Sequence, residues 1–319
     1  MPLVSIIMTS YNHEKFISIA IKSVLNQTVT DLELIIIDDA SKDDSRQIIK
    51  DYSKKDGRIK TVFHGENRGI AKTLNEGIEK AVGTYIAFIG SDDVWHKDKI
   101  QKQIDILMKN EDLIVWSEGE IIDNNGNPTG ELFTQKQGAS KKKKSGNIFE
   151  ILLLGNFIFG SSMIFKRKNA KDIRFNEALK YLNDHQYYVD LAKKYEYFFF
   201  SESLAMYRIH GGNTILSDEE GWQRDRIIIN DYFLQRYADE ISDKLKGKIL
   251  LTSSEVFSLF GEKAKTLQYV YQAIRLNPFY LKNLYYLFFA FTNKNWFIYN
   301  YLRRFYKKFK NLDYKSLVE

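Results

Sequence analysis

Twice in its first hundred residues the chain runs an apolar segment straight into a pair of aspartates. Residues 32–37 (LELIII) lead into Asp38, Asp39, Ala40 and Ser41, and residues 84–89 (TYIAFI) into Gly90, Ser91, Asp92 and Asp93. A third apolar segment, 4–8 (VSIIM), ends in Thr9, Ser10, Tyr11 and Asn12. Carboxylates gathered at one edge repel each other, and a hard divalent cation carrying a phosphate ligand relieves that repulsion. A helix cap or a turn accounts for Asp39 or Asp43 taken singly. It explains poorly why an acidic pair follows a buried segment twice. No Gly-x-Gly-x-x-Gly follows the first segment, and no phosphate loop ending in Gly-Lys-Ser/Thr occurs. Dinucleotide-cofactor and P-loop chemistries therefore lose their main support. With no cysteine in the chain, thiolate metal sites, cysteine nucleophiles and disulfides are out, which fits a reducing compartment.

The elements that must position these residues are legible in the spacing of apolar side chains. Short apolar runs suit strands covered on both faces of a parallel sheet. Between the first two, Phe16, Ile17, Ala20, Ile21, Val24 and Leu25 fall on one helical face. The unit repeats: Ser41 caps a helix over about 42–54, a strand follows at 59–63, a helix at 69–82, a strand at 84–89 and a helix near 98–109. Such alternation predicts an α/β fold with a Rossmann-like, mostly parallel central sheet flanked by helices. In such a sheet the ligand lies beyond the carboxyl ends of the strands, where the polar and acidic residues just named are found. Further on, the pattern predicts a strand at 113–122, a turn at 124–130, a helix near 147–154 and, at 135–147 with its four consecutive lysines, a mobile solvated loop, or else a lid or a contact with an anionic surface. A strand near 161–166, a helix at 183–194, strands at 197–200 and 204–209, and helix from about 222 complete it.

Length, 319 residues, allows one large α/β domain with an appendage, and 44% hydrophobic with 14% aromatic residues is enough for a sizeable core. The amino-terminal residues carry no secretion-signal pattern, and the uncharged stretch 151–165, broken by Gly155, Asn156, Gly160, Ser161 and Ser162, is too short for a spanning helix. Charge is uneven. Residues 263–312 hold ten Lys or Arg and no acid, so the formal net charge of +6 belongs to the tail and the remainder is slightly acidic. Interleaved aromatics there, Tyr285, Phe288, Trp296 and Phe305 among them, suit an anionic membrane surface, and no recognised nucleic-acid module is present. Residues 264–278 also look like the second helix of a tetratricopeptide-type repeat, although one unit makes no array.

Taken in order and spacing, VSIIMTSYN, LELIIIDDASKDDS, ENRGIAKTLNEGI and GTYIAFIGSDDVW resemble the family 2 glycosyltransferases over roughly residues 2–215. The resemblance implies an inverting enzyme of the A-type nucleotide-sugar fold (GT-A), with residues 1–220 as catalytic domain and 221–319 as a C-terminal helical extension. It implies that base and ribose rest at Thr9, Tyr11, Asn12 and Asp39, with Asn67 nearby, that Asp92 faces the ribose, and that Asp93 binds a Mn²⁺ or Mg²⁺ on the diphosphate. It further implies, from YRIHGGNT, that Arg208 approaches the diphosphate and His210 the diphosphate or metal. The catalytic base implied is Asp184 in LNDHQYYVDLAKKY, where Asn183 replaces the glutamate of the family's Glu-Asp pair and is a candidate contact to the acceptor or sugar. His185, with its near-neutral ordinary pKa, competes for that role. Trp95 serves equally as a sugar platform or a core residue. Gly90 stands where many relatives have an acid and Leu74 where an arginine is frequent, leaving Arg68 or Lys72 to supply charge or simply to be solvated.

The implied activity is metal-dependent transfer of a sugar, by family habit from a UDP-sugar, to a saccharide hydroxyl on a lipid-linked bacterial surface glycan such as O-antigen or capsule. The setting implied is cytoplasmic, peripheral at the inner face of the membrane. Two rivals stand beside it: a nucleotidyltransferase, which would carry a basic glycine-rich loop where TSYNHEKF stands, and a catalytically degenerate binding or scaffold subunit.

Overall fold

A computed structural model describes residues 2–212 and 218–278. The chain divides into two compact units, residues 1–210 and 211–319. The first unit opens with β1 (Val4–Ser10), α1 (Ile17–Leu25), β2 (Leu32–Asp38), α2 (Ser45–Lys55), β3 (Ile59–Phe63), α3 (Ile70–Lys80) and β4 (Tyr85–Gly90). After β5 (Val94–Trp95) and α4 (Lys99–Leu107) come β6 (Ile114–Ile122), β7 (Pro128–Leu132) and the single turns α5 (Phe133–Lys136) and α6 (Phe149–Leu152). A 3-10 turn (Gly160–Ser162), β8 (Ile164–Lys166), α7 (Asn183–Lys194) and β9 (Tyr197–Arg208) complete it.

The strands form one sheet in the order β3-β2-β1-β4-β8-β6-β9-β5, with β7 paired antiparallel to the end of β6 off this path. β3, β2, β1 and β4 are parallel in register, Val4 opposite both Leu32 and Tyr85. β8 then runs antiparallel to both β4 and β6, and β9 parallel to β6. The architecture is thus α/β with a mostly parallel sheet, as the strand–helix alternation predicts, and a mixed second half where that alternation loosens. From β1 the chain moves outward to β2 and β3 and returns on the other side of β1 as β4. That reversal opens a crevice at the carboxyl ends of β1 and β4, where a ligand fits.

Burial explains the order. Ile6, Ile7, Met8, Leu34, Ile36 and Ala87 are fully buried between helices on the two faces, so the central strands carry no polar alternation. α3 lies close on β1 because Gly77 has no side chain: a Cβ there would come 2.4 Å from Ile7 Cγ2. Two residues earlier on the same helix, buried Asn75 pairs with the backbone of Phe175, donating to its carbonyl at 3.0 Å and accepting its N–H at 2.9 Å. Asn75→Ala leaves both backbone groups unpaired and is expected to cost about 2–4 kcal/mol, read as a lowered denaturant midpoint.

The sequence reading differs from the structure in four places. α2 begins at Ser45 behind Asp44, and Ser41, expected as its cap, donates its hydroxyl to Asp38 instead. The lysine-rich stretch 135–147 is anchored: Ala139 is fully buried, Gly146 and Tyr197 exchange two backbone hydrogen bonds, and Trp116 donates to the Lys144 carbonyl. Lys142 and Lys144 lie over the rings of Phe157 and Phe199, so their alkyl stems cover apolar surface that polarity alone does not reveal. The strands expected at 197–200 and 204–209 are one strand, β9, irregular against β6 near Glu118. The segment after the 124–127 turn continues as β7 instead of remaining a turn.

The second unit is helical where described: α8 (Glu219–Arg236), α9 (Asp243–Leu259) and α10 (Lys263–Leu276). Asp218 and Ser242 cap the first two by accepting from Gly221 and Leu245 N–H. Leu250 and Leu251 of α9 pack on Val270 and Ala273 of α10, the helix read as repeat-like. The basic, aromatic stretch beyond residue 278 lies outside the described residues. Among the described residues no helix is long and apolar enough to cross a membrane.

Candidate active site

The loops after β1 and β2 are locked to each other. Asn12 N–H donates to Ser41 Oγ, and Lys42 N–H donates to Asn12 Oδ1 at 2.8 Å. Asn12 and Ala40 both adopt left-handed backbone (φ 54° and 64°), a conformation asparagine tolerates and alanine does not favour, held here by the surrounding bonds. Buried Asp39 braces the loop before α3, accepting from Arg68 N–H and Gly69 N–H at 2.8 Å, with His64 Nδ1 at 2.7 Å. Its carboxylate therefore fixes the start of α3 as well as standing at the crevice. Tyr11 is exposed beside it, Thr9 is half-buried at the end of β1, and Asn67 and Arg68 are exposed on the loop that Asp39 holds. Asn67 Oδ1 accepts from Gly69 N–H.

At the end of β4 the two aspartates part company. Asp93 is buried, accepts the Ser161 hydroxyl at 2.5 Å and the Arg208 backbone N–H at 3.2 Å, and has its pKa pushed well above the usual carboxylate range by burial and by the neighbouring Asp92 charge. Asp92 lies 3.1 Å from His210 Nε2. Burial opposes its ionisation, but His210 and His13 outweigh that and hold its pKa below the ordinary value. His13 Nδ1 is 2.7 Å from Ser91 Oγ, and burial lowers the His13 pKa, which favours the neutral, ligating imidazole. His13, Asp92 and His210 each offer a ligand atom within 4.8 Å of the others. Two imidazoles and a carboxylate make a donor set that fits a divalent ion of the manganese type better than magnesium, which prefers oxygen. The structure thus groups Asp92, in place of the expected Asp93, with His210, and adds His13, which the sequence reading does not name. Its only signal was its position just past the end of β1.

Gly90 sits against both carboxylates. A Cβ there would come 2.7 Å from Asp92 Oδ1 and 3.0 Å from Asp93 Oδ2.

Asp184 lies in the first turn of α7. Its Oδ1 accepts from His185 N–H at 2.6 Å and its Oδ2 from Asn156 Nδ2 at 3.0 Å. Burial raises its pKa to about 6 against these bonds, a value suited to taking a proton near neutrality. His185, the competing base, is buried with Nε2 2.6 Å from the Leu152 carbonyl, so its ring clamps the α6 turn. Asn183 is buried too, its amide directed at the carbonyls of Leu179 and Lys180.

Two further expected residues have structural settings. The ring of Trp95 is buried in the core, Nε1 donating to the Ser161 carbonyl and Lys99 Nζ standing 4.0 Å over its face, so it does not offer that face to a sugar. The guanidinium of buried Arg208 donates to the carbonyls of Asp92 and Asp123 and stacks on Phe16, tying the end of β9 to the acidic loop. What the sequence reading missed altogether is the segment 156–161. Asn156 holds Asp184, and five residues later Ser161 holds Asp93 and the Gly90 N–H. One short segment therefore supports both acidic positions.

With fold and site in view, residues 5–174 match the sequence profile of Glycosyl transferase family 2, and the chain belongs to that family. It is 35% identical over 194 residues to a glycosyltransferase of Haemophilus influenzae, covering 61% of this chain and 73% of that one. Over 123 residues it is 42% identical to the Escherichia coli UDP-Glc:alpha-D-GlcNAc-diphosphoundecaprenol beta-1,3-glucosyltransferase WfgD, covering 39% of this chain and 48% of WfgD. Among solved structures, S. aureus TarS 1-349 in complex with UDP-GlcNAc superposes with a TM-score of 0.65 at 20% identity, over 93% of this chain and 89% of that one. The Pyrobaculum calidifontis mannosyltransferase PcManGT in complex with GDP-Man and Mn²⁺ gives 0.55 at 15% identity, over 85% and 74%. Both share the fold.

Proposed function

We propose that this glycosyltransferase moves a sugar, with inversion and in dependence on a divalent cation, from a UDP-sugar to a hydroxyl of a lipid-linked saccharide in bacterial surface-glycan synthesis. The observation that carries the reading is the His13–Asp92–His210 cluster at the carboxyl ends of β1 and β4. It gathers ligating groups where a nucleotide diphosphate fits an open α/β sheet. UDP and UDP-GlcNAc in the TarS complexes, and the UDP-Glc donor and undecaprenol-linked acceptor named for WfgD, support donor and acceptor class.

The residues divide the work. Tyr11 and the Asp39-braced loop receive the nucleoside. His13, Asp92 and His210 would hold the ion, which when bound neutralises charge on the departing diphosphate. Asp184 takes the proton of the acceptor hydroxyl as its oxygen bonds to the anomeric carbon. The bond from that carbon to the diphosphate oxygen breaks on the opposite face, and its electron pair leaves with the nucleotide.

The test is thermal stability of the full chain against UDP-, GDP- and dTDP-sugars with and without Mn²⁺, since a ligand of the native state raises its apparent stability. A selective, Mn²⁺-dependent shift with a UDP-sugar supports the proposal. No shift with any donor points to the scaffold reading. The basic, aromatic tail extends the proposal to the inner face of the cytoplasmic membrane: truncation after residue 278 is expected to cut binding to anionic liposomes about tenfold or more while leaving nucleotide shifts intact. Undiminished sedimentation with the liposomes removes the membrane role.

A further inference from the structure

Asn156 lies between α6 and the 3-10 turn and makes two separate contacts. Its Oδ1 accepts the Ile158 N–H at 2.8 Å, a local turn that shapes the segment. Its Nδ2 donates to Asp184 Oδ2 at 3.0 Å across 28 residues of sequence. The other carboxylate oxygen of Asp184 takes the His185 N–H, and His185 in turn reaches the Leu152 carbonyl. Both ends of residues 152–156 are thus tied to the first turn of α7.

We propose that Asn156 is a positioning residue for Asp184: its amide fixes the rotamer of the carboxylate and selects which lone pair of Oδ2 remains to receive the acceptor's proton. The inference rests on Asp184 being the base. A carboxylate has about four acceptor directions, and a base left to rotate among them spends little time aligned with an incoming hydroxyl. One donor on each oxygen removes that freedom and still leaves Oδ2 a lone pair. Because both donors can only give hydrogen bonds, they also favour the ionised form, against the burial that disfavours it. From α7 the Tyr188 hydroxyl bears on Asp184 and His185 reaches it through its backbone N–H, while residues 152–162 carry no charge. No cation in that segment can do what the Asn156 amide does.

The variants separate this role from support of the loop. Asn156→Asp keeps an oxygen for the Ile158 N–H but exchanges the donor for a second carboxyl. Asn156→Ser keeps a short donor and an acceptor, and Asn156→Ala keeps neither. The readout is the titration of Asp184 in full-length protein labelled with ¹³Cγ-aspartate, its resonance assigned by loss in Asp184→Asn. Beside it runs the pH profile of UDP release from UDP-glucose and UDP-GlcNAc. The Asp184 midpoint is expected to rise by about one unit or more in Asn156→Asp and by about half a unit in Asn156→Ala, with serine near wild type. The acid limb of UDP release should follow by the same amounts, and UDP binding should not change.

Midpoints unmoved in the aspartate and alanine variants would overturn the proposal, as would a moved midpoint that the acid limb does not follow. If Asp184→Asn itself retains turnover, the base assignment fails instead, and the two failures are distinguishable. A wild-type melting temperature for Asn156→Asp keeps the comparison free of folding effects.

Discussion

Asp184→Asn is expected to lower sugar transfer by about 10³-fold or more while leaving UDP-sugar binding unchanged, because the variant keeps the shape of the side chain and loses the proton acceptor. Asn156 and the His185 N–H engage Asp184 without supplying a base, and the His185 ring lies on the Leu152 carbonyl, so neither of these neighbours is placed to substitute. The same substitution has a stability signature of known sign. Burial raises the Asp184 pKa from 3.8 to about 6, so the folded state binds this proton more tightly than the unfolded chain does. The stability this contributes is present below about pH 4 and is lost as pH rises through about 6. Above that, ionising the buried carboxyl costs up to about 3 kcal/mol, which asparagine avoids. Asp184→Asn should therefore melt near wild type at pH 4 and measurably higher at pH 8. Full transfer by the variant would remove Asp184 as the base, and equal melting at both pH values would show that its burial costs nothing.

Asp92→Asn is expected to abolish Mn²⁺-dependent stabilisation by UDP, with His13→Ala and His210→Ala each weakening it about tenfold or more. The carboxylate is the only anionic member of the His13–Asp92–His210 set, and its neutral isostere offers a much poorer ligand. Asp93→Asn should behave differently. Its carboxyl is occupied by Ser161 and the Arg208 N–H, so the change should leave Mn²⁺ affinity near wild type. Isothermal titration with Mn²⁺ in the presence of UDP decides between them. An Asp92→Asn protein that still needs Mn²⁺ for UDP, beside an Asp93→Asn protein that does not, would return the ion to Asp93.

The first four strands and the three helices that join them were legible because one physical demand, burial on both faces, writes itself as contiguous apolar runs separated by amphipathic helices. The acidic edge was legible for the same reason: once β2 and β4 are identified, Asp39, Asp92 and Asp93 must lie at their carboxyl ends. Asp184 came from the family's pattern, not from spacing, and the structure supplies what the pattern lacks, a buried setting with Asn156 on one oxygen. His13 and Ser161 carried no signal of their own. Each acts on a partner far along the chain, 78 residues for His13 with Ser91 and 68 for Ser161 with Asp93, and nothing local to YNHEKF or FGSSM records such a partner. The lysines at 141–144 read as solvated because their charge is visible in the sequence and the rings beneath them are not.

By itself, then, the sequence determined the strand–helix order, the edge at which chemistry gathers, and the family. The tertiary structure decided which of two adjacent aspartates meets His210, which histidine joins them, and that Trp95 and Arg208 hold the loops in place. The reason is that strand identity depends on neighbours along the chain. The choice between Asp92 and Asp93 depends on which way successive side chains point when β4 ends and on what β9 and the 156–161 segment place beside them.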